Sequence, residues 1–437
     1  MQSTLLSYLK TAQLQPETTR LGILANQTAF EPGKGYLFRT LAAAGFRLRC
    51  FLPEHGLFAE LQDQIGLEET QAYARFLPPQ YRLQVEFESL YGFQESTLRP
   101  GPDRLSDLDL LIVDLQDVGS RYYTFLNTLF YCLEVINDLR SEGRSIRCLV
   151  LDRNNPIGRR VEGSPLSPEF ESFVGLPGIL HRHGLTTGEM ARYFATRIGC
   201  ESSALITLKA DAPSSANDEK QSNSADERVF PIYPSPNMPS IATAAVYPGQ
   251  CLLEGTNLSE GRGTTRPFEI FGAPFLGDLM EDASDFYLPG ATLRPLRFLP
   301  TFHKHGGTIC EGFQIHAGPD YPALFGTMRI LRWIRNKCAE FAWLSGVYEF
   351  RSNRPAIELL CGDDRLLHYV RQSDAPSVRE LDAVDLELLT YLRTCEKNWI
   401  SDTGFLFERS ATDKTSEIDL ASGSPLVSSS EFILKNR

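Results

Sequence analysis

The sequence predicts an α/β protein, with a Rossmann-like, mostly parallel sheet domain followed by a mixed α+β C-terminal domain. Apolar runs alternate with segments of helical period in the N-terminal half, which is the pattern of successive βαβ units. Residues 108–113 are almost continuously apolar, as expected of a strand buried on both faces of a parallel sheet. Several predicted strands are followed by carboxylate or amide side chains, where α/β proteins usually build their sites.

The N-terminal elements follow in order along the chain. Strands are predicted over residues 20–25, 46–52, 83–87, 108–113, 146–151 and 204–209. Helices are predicted within residues 1–19, over residues 36–44, from 121 to 140 with Ser120 as the N-cap, and from a capping box at residues 186–189 to residue 198.

The second half of the chain carries a mixed set of elements. Strands are predicted near residues 296–300 and 311–316, and helices near residues 325–341 and 382–395. Residues 211–229 are rich in Ser, Asn, Asp, Ala and Lys and are predicted to be an insert or linker, and residues 414–430 are predicted to be disordered. We therefore expect a Rossmann-like catalytic domain over residues 1–210 and a mixed domain over residues 230–437 that completes the cleft.

The composition excludes several classes of protein. With 42% hydrophobic and 22% charged residues, the 437-residue chain has the balance of an ordinary globular protein. Its net charge of -12 argues against a nucleic acid as the main partner. None of the nine cysteines forms a Cys-x-x-Cys pair, which predicts free thiols in a reducing compartment. The N-terminal residues lack the pattern of a signal peptide and no apolar run could span a membrane, so we expect a cytoplasmic protein.

Polar side chains follow four of the predicted strands. They are Asn26, Glu54, Asp114 with Asp117, and Asp152 with Asn155. Because the carboxyl ends of parallel strands meet at one edge of a sheet, we expect these side chains to lie close together. Glu54 stands beside His55, and a glutamate in a partly apolar cleft can acquire the raised pKa of a general acid. The sequence therefore predicts a site at this edge of the sheet.

The aspartates leave a second chemistry open. Asp114, Asp117 and Asp152 could form a carboxylate cluster for Mg²⁺, as in a metal-dependent hydrolase or transferase of phosphorylated sugars. The chain lacks, however, the Asp-x-Asp-x-Thr motif of phosphatases, a Gly-x-x-x-x-Gly-Lys phosphate loop and a Gly-x-Gly-x-x-Gly motif after the first strand. The His-x-His pairs at residues 181–183 and 303–305 are weak metal signals without partnered cysteines. We therefore expect neither a metal nor a cofactor.

Several stretches together resemble one known family. They include Pro-Glu-His-Gly at residues 53–56, the run over residues 113–124, and the glycine-rich run over residues 254–264. The other stretches are residues 22–27, 89–92, 151–158 and 235–237. In their order and number they resemble the DUF1343 or YbbC-like family, which includes the NamZ-type exo-β-N-acetylmuramidases of glycoside hydrolase family 171.

The resemblance implies an active cleft between the two domains and the release of N-acetylmuramic acid from the non-reducing end of peptidoglycan fragments, either muropeptides or disaccharides. It makes Glu54 the predicted general acid, with His55 and Asp114 as further catalytic residues. The predicted substrate-binding residues are Asn26, Gln116, Asp117, Arg121, Tyr122, Asn155, Asn237, Glu254, Asn257, Glu260 and Arg262. A non-catalytic protein that binds cell-wall fragments is the remaining alternative, and the oligomeric state stays open.

Recognition of muramic acid makes a further demand, because its lactyl ether carries a carboxylate. Arginine suits a carboxylate because its planar fork can donate two parallel hydrogen bonds. Arg262, flanked by Gly261 and Gly263, is the predicted partner of the lactyl group, and Arg121 is its main competitor. The alternative role of Arg262 is to pair with Glu254 or Glu260 and hold the loop.

Overall fold

A parallel sheet organises the N-terminal part of the chain, in a computed structural model that describes residues 1–62, 65–67, 70–209, 230–282, 286–404 and 406. The strands of this part are β1 (Arg20–Ala25), β2 (Phe30–Glu31), β3 (Gly35–Tyr36), β4 (Arg47–Leu52), β5 (Val85–Ser89), β6 (Leu110–Asp114), β7 (Arg147–Asp152) and β8 (Leu205–Lys209). Six of them form one sheet in the order β5-β4-β1-β6-β7-β8, in which all pairings are parallel. The order reverses between β1 and β6, so the crevice beyond these strands is the usual ligand position of a Rossmann-like sheet.

Helices cover this sheet and bury its central strands. They are α1 (Gln2–Thr11), α2 (Leu37–Ala43), α3 (Pro102–Leu105), α4 (Phe125–Ser141) and α5 (Thr187–Arg197). The apolar side chains of α1 and α2 pack in one core cluster with Ile23 of β1 and Ile112 of β6. All residues of β6 are buried, which explains its continuously apolar sequence.

Most of the predicted N-terminal elements are confirmed, and the differences have local causes. β1 has its predicted bounds, and the capping box forms with Thr186 as N-cap and Glu189 as its partner. The third predicted strand begins two residues late, at Val85, because Leu83 is fully exposed. The helix predicted from residue 121 begins at Phe125 instead, and Ser120 is not its cap.

The late start of α4 follows from pairing with another segment. Ser120 forms an isolated bridge with Arg182, and the Arg121 N–H donates to the His181 carbonyl oxygen over 3.1 Å. Residues 120–123 therefore run as a loop along the sheet edge, where Tyr122 and Tyr123 are buried. The prediction was wrong here because helical period alone does not reveal a long-range backbone partner.

The C-terminal part combines an antiparallel sheet with helices. The strands β9 (Ile270–Ala273), β10 (Ala291–Phe298) and β11 (Cys310–Ala317) pair in the order β10-β11-β9. The helices are α6 (Ile241–Gln250), α7 (Gly277–Asp282), α8 (Ala323–Lys337), α9 (Ala356–Cys361), α10 (Asp364–Val370) and α11 (Ala383–Thr403). The mixed character predicted for this part is confirmed. α6 was not predicted, and it contains Pro248, a residue that normally interrupts a helix.

Buried ion pairs tie two of these helices together. Arg329 of α8 is fully buried, and its Nε lies 2.8 Å from Asp385 Oδ2 of α11. Arg332 of α8 lies 3.0 Å from Asp382, the N-cap of α11. The predicted insert at residues 211–229 and the predicted disordered segment at residues 414–430 lie outside the described residues. Within the described residues, no helix combines the length and the apolar character needed to cross a membrane.

A buried carboxylate and a half-buried carboxylate lie close together where α11 passes the start of α8. Glu162 accepts hydrogen bonds from the N–H groups of Ala323 and Leu324, at the N-terminus of α8. Glu396 of α11 accepts a hydrogen bond of 3.2 Å from the Gly163 N–H. Burial, together with the negative charge of Glu162, raises the pKa of Glu396 to about 7.

This raised pKa predicts a pH-dependent stability. The pKa of Glu396 in the folded protein is higher than its ordinary value of 4.5. Its contribution to the stability of the fold is therefore complete below about pH 4.5 and is lost as the pH rises through about 7. We expect Glu396→Gln, which cannot ionise, to show a smaller fall in Tm than the parent between pH 5 and pH 8. Glu387→Gln, at an exposed position of the same helix, should follow the parent. Equal falls in all three proteins would contradict the assignment.

Candidate active site

The loop after β4 brings Glu54 to the sheet edge. Glu54 is 5% exposed, and its Oε2 accepts a hydrogen bond of 2.6 Å from the Thr124 hydroxyl. The chain turns sharply at His55 and Gly56, which have φ of +74° and +83°. His55 Nδ1 lies 3.0 Å from the Leu61 carbonyl oxygen, so this nitrogen carries the hydrogen. The turn thus fixes the imidazole beside the glutamate.

Glu54 lines a partly open cavity of about 40 Å³. Its walls come from the loops after β4 and β6, from the segment before α6, from the glycine-rich loop after α6, and from residues 348–349. The lining side chains are Glu54, His55, Tyr122, Tyr123, Thr124, Val174, Ser235, Asn237, Met238, Tyr247, Cys251, Glu254, Arg262, Phe268, Tyr348 and Glu349. Carboxylates and a guanidinium therefore share this space with five tyrosine and phenylalanine rings, and partial burial makes their charge interactions stronger than in water.

Arg262 reaches this cavity from the glycine-rich loop. Its Nη2 donates to Glu254 Oε1 over 2.7 Å, and its guanidinium lies 5.1 Å from the centre of the Phe268 ring. Gly261 and Gly263 have φ of +82° and +79°, a backbone region that favours glycine. The flanking glycines therefore let the loop present the arginine inward. The predicted pairing with Glu254 is observed, and Arg262 also lines the cavity, whereas its role toward the lactyl group stays a prediction.

Glu260 supports Arg262 from outside the cavity. Its buried carboxylate lies 2.9 Å from Lys304 Nζ, 2.9 Å from His303 Nδ1 and 3.3 Å from Arg262 Nε. Burial alone would raise the pKa of Glu260, but Lys304, His303 and Arg262 together hold it well below its usual range. Glu260 is therefore a fixed negative charge.

Asn26 positions another wall of the cavity. Its Nδ2 donates to the Pro234 carbonyl oxygen over 3.1 Å, and the neighbouring Gln27 donates to the Tyr233 carbonyl oxygen. These bonds hold the segment that carries Ser235 and Asn237 against the sheet edge. The amide of Asn237 in turn donates to Gln62 Oε1 over 2.7 Å.

The other predicted residues at the strand ends are engaged away from the cavity lining. Asp114 is held by Arg153 through bonds of 2.9 and 2.6 Å, and burial raises its pKa although Arg153 lowers it. Asp117 accepts hydrogen bonds from the Gly119 N–H and from His183 Nε2. The side chains of Gln116 and Asn155 donate to carbonyl oxygens of adjoining loops. These polar groups hold the sheet edge in shape.

The aspartates considered for a metal have separate partners. Asp152 accepts hydrogen bonds from the Thr186 hydroxyl and the Gly188 N–H, whereas Asp114 and Asp117 bond as described above. No cluster of His, Cys, Asp or Glu suited to a metal ion occurs among the described residues. The geometry of the three carboxylates therefore gives the metal-dependent alternative no support.

Arg121 is a structural residue in this geometry. It is 2% exposed, and it donates to the carbonyl oxygens of Ser164, Ile179, Leu360 and Cys361 over 2.8 to 3.1 Å. The last two carbonyls belong to the C-terminal end of α9. Arg121 does not line the cavity, although its neighbour Tyr122 does. Asn257 is also remote, since it pairs with backbone groups of Glu340 and Ala342.

Two models of one family match almost the whole described chain. The N-terminal model, described as exo-beta-N-acetylmuramidase NamZ, N-terminal, matches residues 21–242. The corresponding C-terminal model matches residues 245–400. The chain belongs to the NamZ family. Each of the two models covers part of the cavity lining. Glu54 lies in the region that the N-terminal model matches, and Glu254, Arg262 and Glu349 lie in the region that the C-terminal model matches.

Individual relatives agree with this assignment. The Bacillus subtilis protein named peptidoglycan beta-N-acetylmuramidase NamZ is 38% identical over 273 residues, which span 61% of this chain and 60% of that protein. Two crystal structures of DUF1343 family proteins from Bacteroides fragilis have the same fold. The first has a TM-score of 0.66 and 20% sequence identity, and the match covers 92% of this chain and 97% of that protein. The second has a TM-score of 0.59 and 23% sequence identity, and the match covers 91% of this chain and 96% of that protein.

Sequence reasoning missed several side chains of the cavity of this NamZ family member. Tyr123 and Thr124 lie in the same stretch as the predicted Tyr122, and Ser235 lies beside Asn237, so these stretches carried a signal. Tyr247, Phe268, Tyr348 and Glu349 also line the cavity. They come from stretches without a recognisable polar motif, and only the fold brings them to the site.

The structural role of Arg121 can be tested by a conservative change. Lysine has fewer donors and no planar fork, so Arg121→Lys cannot satisfy the same set of carbonyl oxygens. We expect it to lower the free energy of unfolding by roughly 2–4 kcal/mol, measured by denaturant titration. Arg144→Lys, at an exposed position, should leave stability unchanged. If Arg121→Lys keeps the stability of the parent but binds the sugar more weakly, Arg121 contacts the substrate instead.

Proposed function

We propose that this chain is an exo-β-N-acetylmuramidase, a glycosidase that releases N-acetylmuramic acid from the non-reducing end of peptidoglycan-derived fragments. The observation that carries the proposal is the position of Glu54, a buried carboxylate in the wall of a cavity that also contains other carboxylates and an arginine, in a NamZ family chain. The activity named for the Bacillus subtilis relative supports it.

In this proposal Glu54 acts as the general acid and gives its proton to the glycosidic oxygen as the bond to the anomeric carbon breaks. Its hydrogen-bond partner is suited to that role. The Thr124 hydroxyl can donate to the carboxylate or accept from the carboxylic acid, so the bond of 2.6 Å survives either protonation state. His55 lies next to Glu54 in the cavity wall and would orient the sugar.

The other predicted residues divide into two groups. Tyr122, Asn237, Glu254 and Arg262 line the cavity and would contact the sugar. The remaining ones are proposed to position the walls rather than to touch the substrate. They are Asn26, Asp114, Gln116, Asp117, Arg121, Asn155, Asn257 and Glu260.

The rest of the substrate would extend out of the cavity. An open groove of about 860 Å³ shares Asn237 with it and is lined by Thr264, Arg266 and Phe302, among others. We propose the cytoplasm as the compartment. The cysteines of the chain are all free thiols, most of them buried, which fits a reducing environment.

Turnover of a chromogenic β-N-acetylmuramic acid glycoside tests the function, and Glu54→Gln tests the acid. Glutamine keeps the size of the side chain but has no proton to give, so we expect kcat on an unactivated disaccharide to fall by at least ~10²-fold. The kcat of the same variant on a substrate with a strongly acidic leaving group should fall much less, because that leaving group needs little protonation. Turnover by the parent that EDTA abolishes would favour the metal-dependent alternative, and binding without turnover would favour a cell-wall-fragment binding protein.

A substitution of Arg262 tests the recognition of the lactyl carboxylate. Arg262→Lys keeps the positive charge against Glu254 and Glu260 but removes the planar fork. We expect the inhibition constant of N-acetylmuramic acid to rise about tenfold, or roughly 1.4 kcal/mol, within the range of a charged hydrogen bond. The constant of N-acetylglucosamine should change little. Arg297→Lys, at an exposed position outside both the cavity and the groove, is the control. Equal losses for both sugars would show that Arg262 only holds the loop.

A further inference from the structure

Residues 348–351 form a tight turn that presents a carboxylate to the cavity. The Tyr348 N–H donates to the Arg351 carbonyl oxygen over 2.8 Å, and the Arg351 N–H donates back to Tyr348 over 2.9 Å. The two central residues, Glu349 and Phe350, have φ of +44° and +67°. Turns with left-handed backbone at both central positions strongly prefer Asn-Gly, because other side chains are strained there. Glu-Phe at these positions is therefore an unfavourable local choice.

Contacts from the N-terminal part of the chain hold this strained turn in place. The Phe350 ring packs 5.6 Å from the Tyr91 ring, and Arg351 pairs with Glu95 over 3.1 Å. The Tyr91 hydroxyl donates to Glu349 Oε2 over 3.1 Å. Glu349 is 7% exposed and lines the same cavity as Glu54. Strain that is maintained by distant contacts and that places a buried carboxylate in a cavity indicates a functional side chain.

Hydrogen-bond chemistry distinguishes Glu349 from the other carboxylate on this side of the cavity. Both oxygens of Glu254 are engaged, one by Arg262 and the other by the Tyr348 hydroxyl at 2.5 Å. A guanidinium can only donate, so it suits an ionised carboxylate alone. The phenol of Tyr91 can donate or accept, as Thr124 does for Glu54. Glu254 is therefore paired with a cation that can only donate, whereas the phenol of Tyr91 tolerates either the gain or the loss of a proton at Glu349.

We propose that Glu349 is the second carboxylate of the hydrolysis, facing the anomeric carbon while Glu54 faces the leaving oxygen. This rests on the proposed function. As the C1–O bond breaks, its electron pair goes to the leaving oxygen, which takes the proton of Glu54. In a one-step reaction water bonds to C1 and loses its proton to Glu349. In a two-step reaction Glu349 itself bonds to C1, and water then displaces it and gives its proton to Glu54.

The test exploits the strain. Asparagine tolerates left-handed backbone and has no titratable group, so Glu349→Asn should raise the Tm by about 1 to 3 °C and lower kcat/KM by at least ~10³-fold. If Glu349 had only a structural role, the Glu349→Asn variant would show the opposite result, a lower Tm with turnover near that of the parent. Gln13→Asn is the matched control, because Gln13 is exposed, has φ of +55° and lies outside the cavity. It should leave turnover unchanged.

Chemical rescue provides the second measurement. Glu349→Ala leaves space for a small anion, and we expect azide to restore turnover of an activated β-N-acetylmuramic acid glycoside by at least ~10-fold and to yield a glycosyl azide. An inactive parent protein would overturn the proposed function. An active parent whose Glu349→Asn and Glu349→Gln variants both keep more than a tenth of its kcat/KM would overturn this inference alone.

Discussion

The structure depends most on the burial of one guanidinium, that of Arg121. Removing a charge from water is costly unless its donors are satisfied, so the chain must keep four carbonyl oxygens around it. Two of these belong to the C-terminal end of α9, where helix carbonyls carry partial negative charge. The next residue, Tyr122, is a wall of the cavity. The requirement to satisfy Arg121 therefore holds the loop after β6 against the C-terminal part and fixes the cavity between them.

Charges around the cavity are arranged so that one cation remains directed inward. Lys304 and His303 lie closer to Glu260 than Arg262 does, at 2.9 Å against 3.3 Å. Glu260 is therefore neutralised mainly from outside the cavity, and Arg262 also pairs with Glu254 over 2.7 Å. In the proposed function, an anionic sugar would meet a guanidinium whose loop is already ordered by this network. Little conformational entropy then has to be lost when the anion binds.

The sequence predicted the parallel sheet well because buried strands are legible as apolar runs, and β1 and β7 fall within one residue of their predicted bounds. It also placed Glu54 and Asn26 at the correct edge. It could not say which way each polar side chain at that edge would turn. Asp114 looked as suitable as Glu54 but lies against Arg153. Glu349 carried no local signal at all, because its position depends on contacts with Tyr91 and Glu95, more than 250 residues away in sequence.

The partners of the three cavity carboxylates suggest how one small space can hold both fixed and exchangeable charge. Glu254 bonds to a guanidinium, which cannot accept a hydrogen bond, so protonating Glu254 would break an ion pair in a medium of low dielectric. Glu54 and Glu349 bond to hydroxyl groups, which rotate to donate or to accept. A proton gained or lost at either position is compatible with these hydroxyl bonds, whereas a proton gained at Glu254 would weaken its pair with Arg262. In the proposed reaction, the hydroxyl partners of Glu54 and Glu349 suit proton transfer, and the guanidinium partner of Glu254 suits a fixed negative charge.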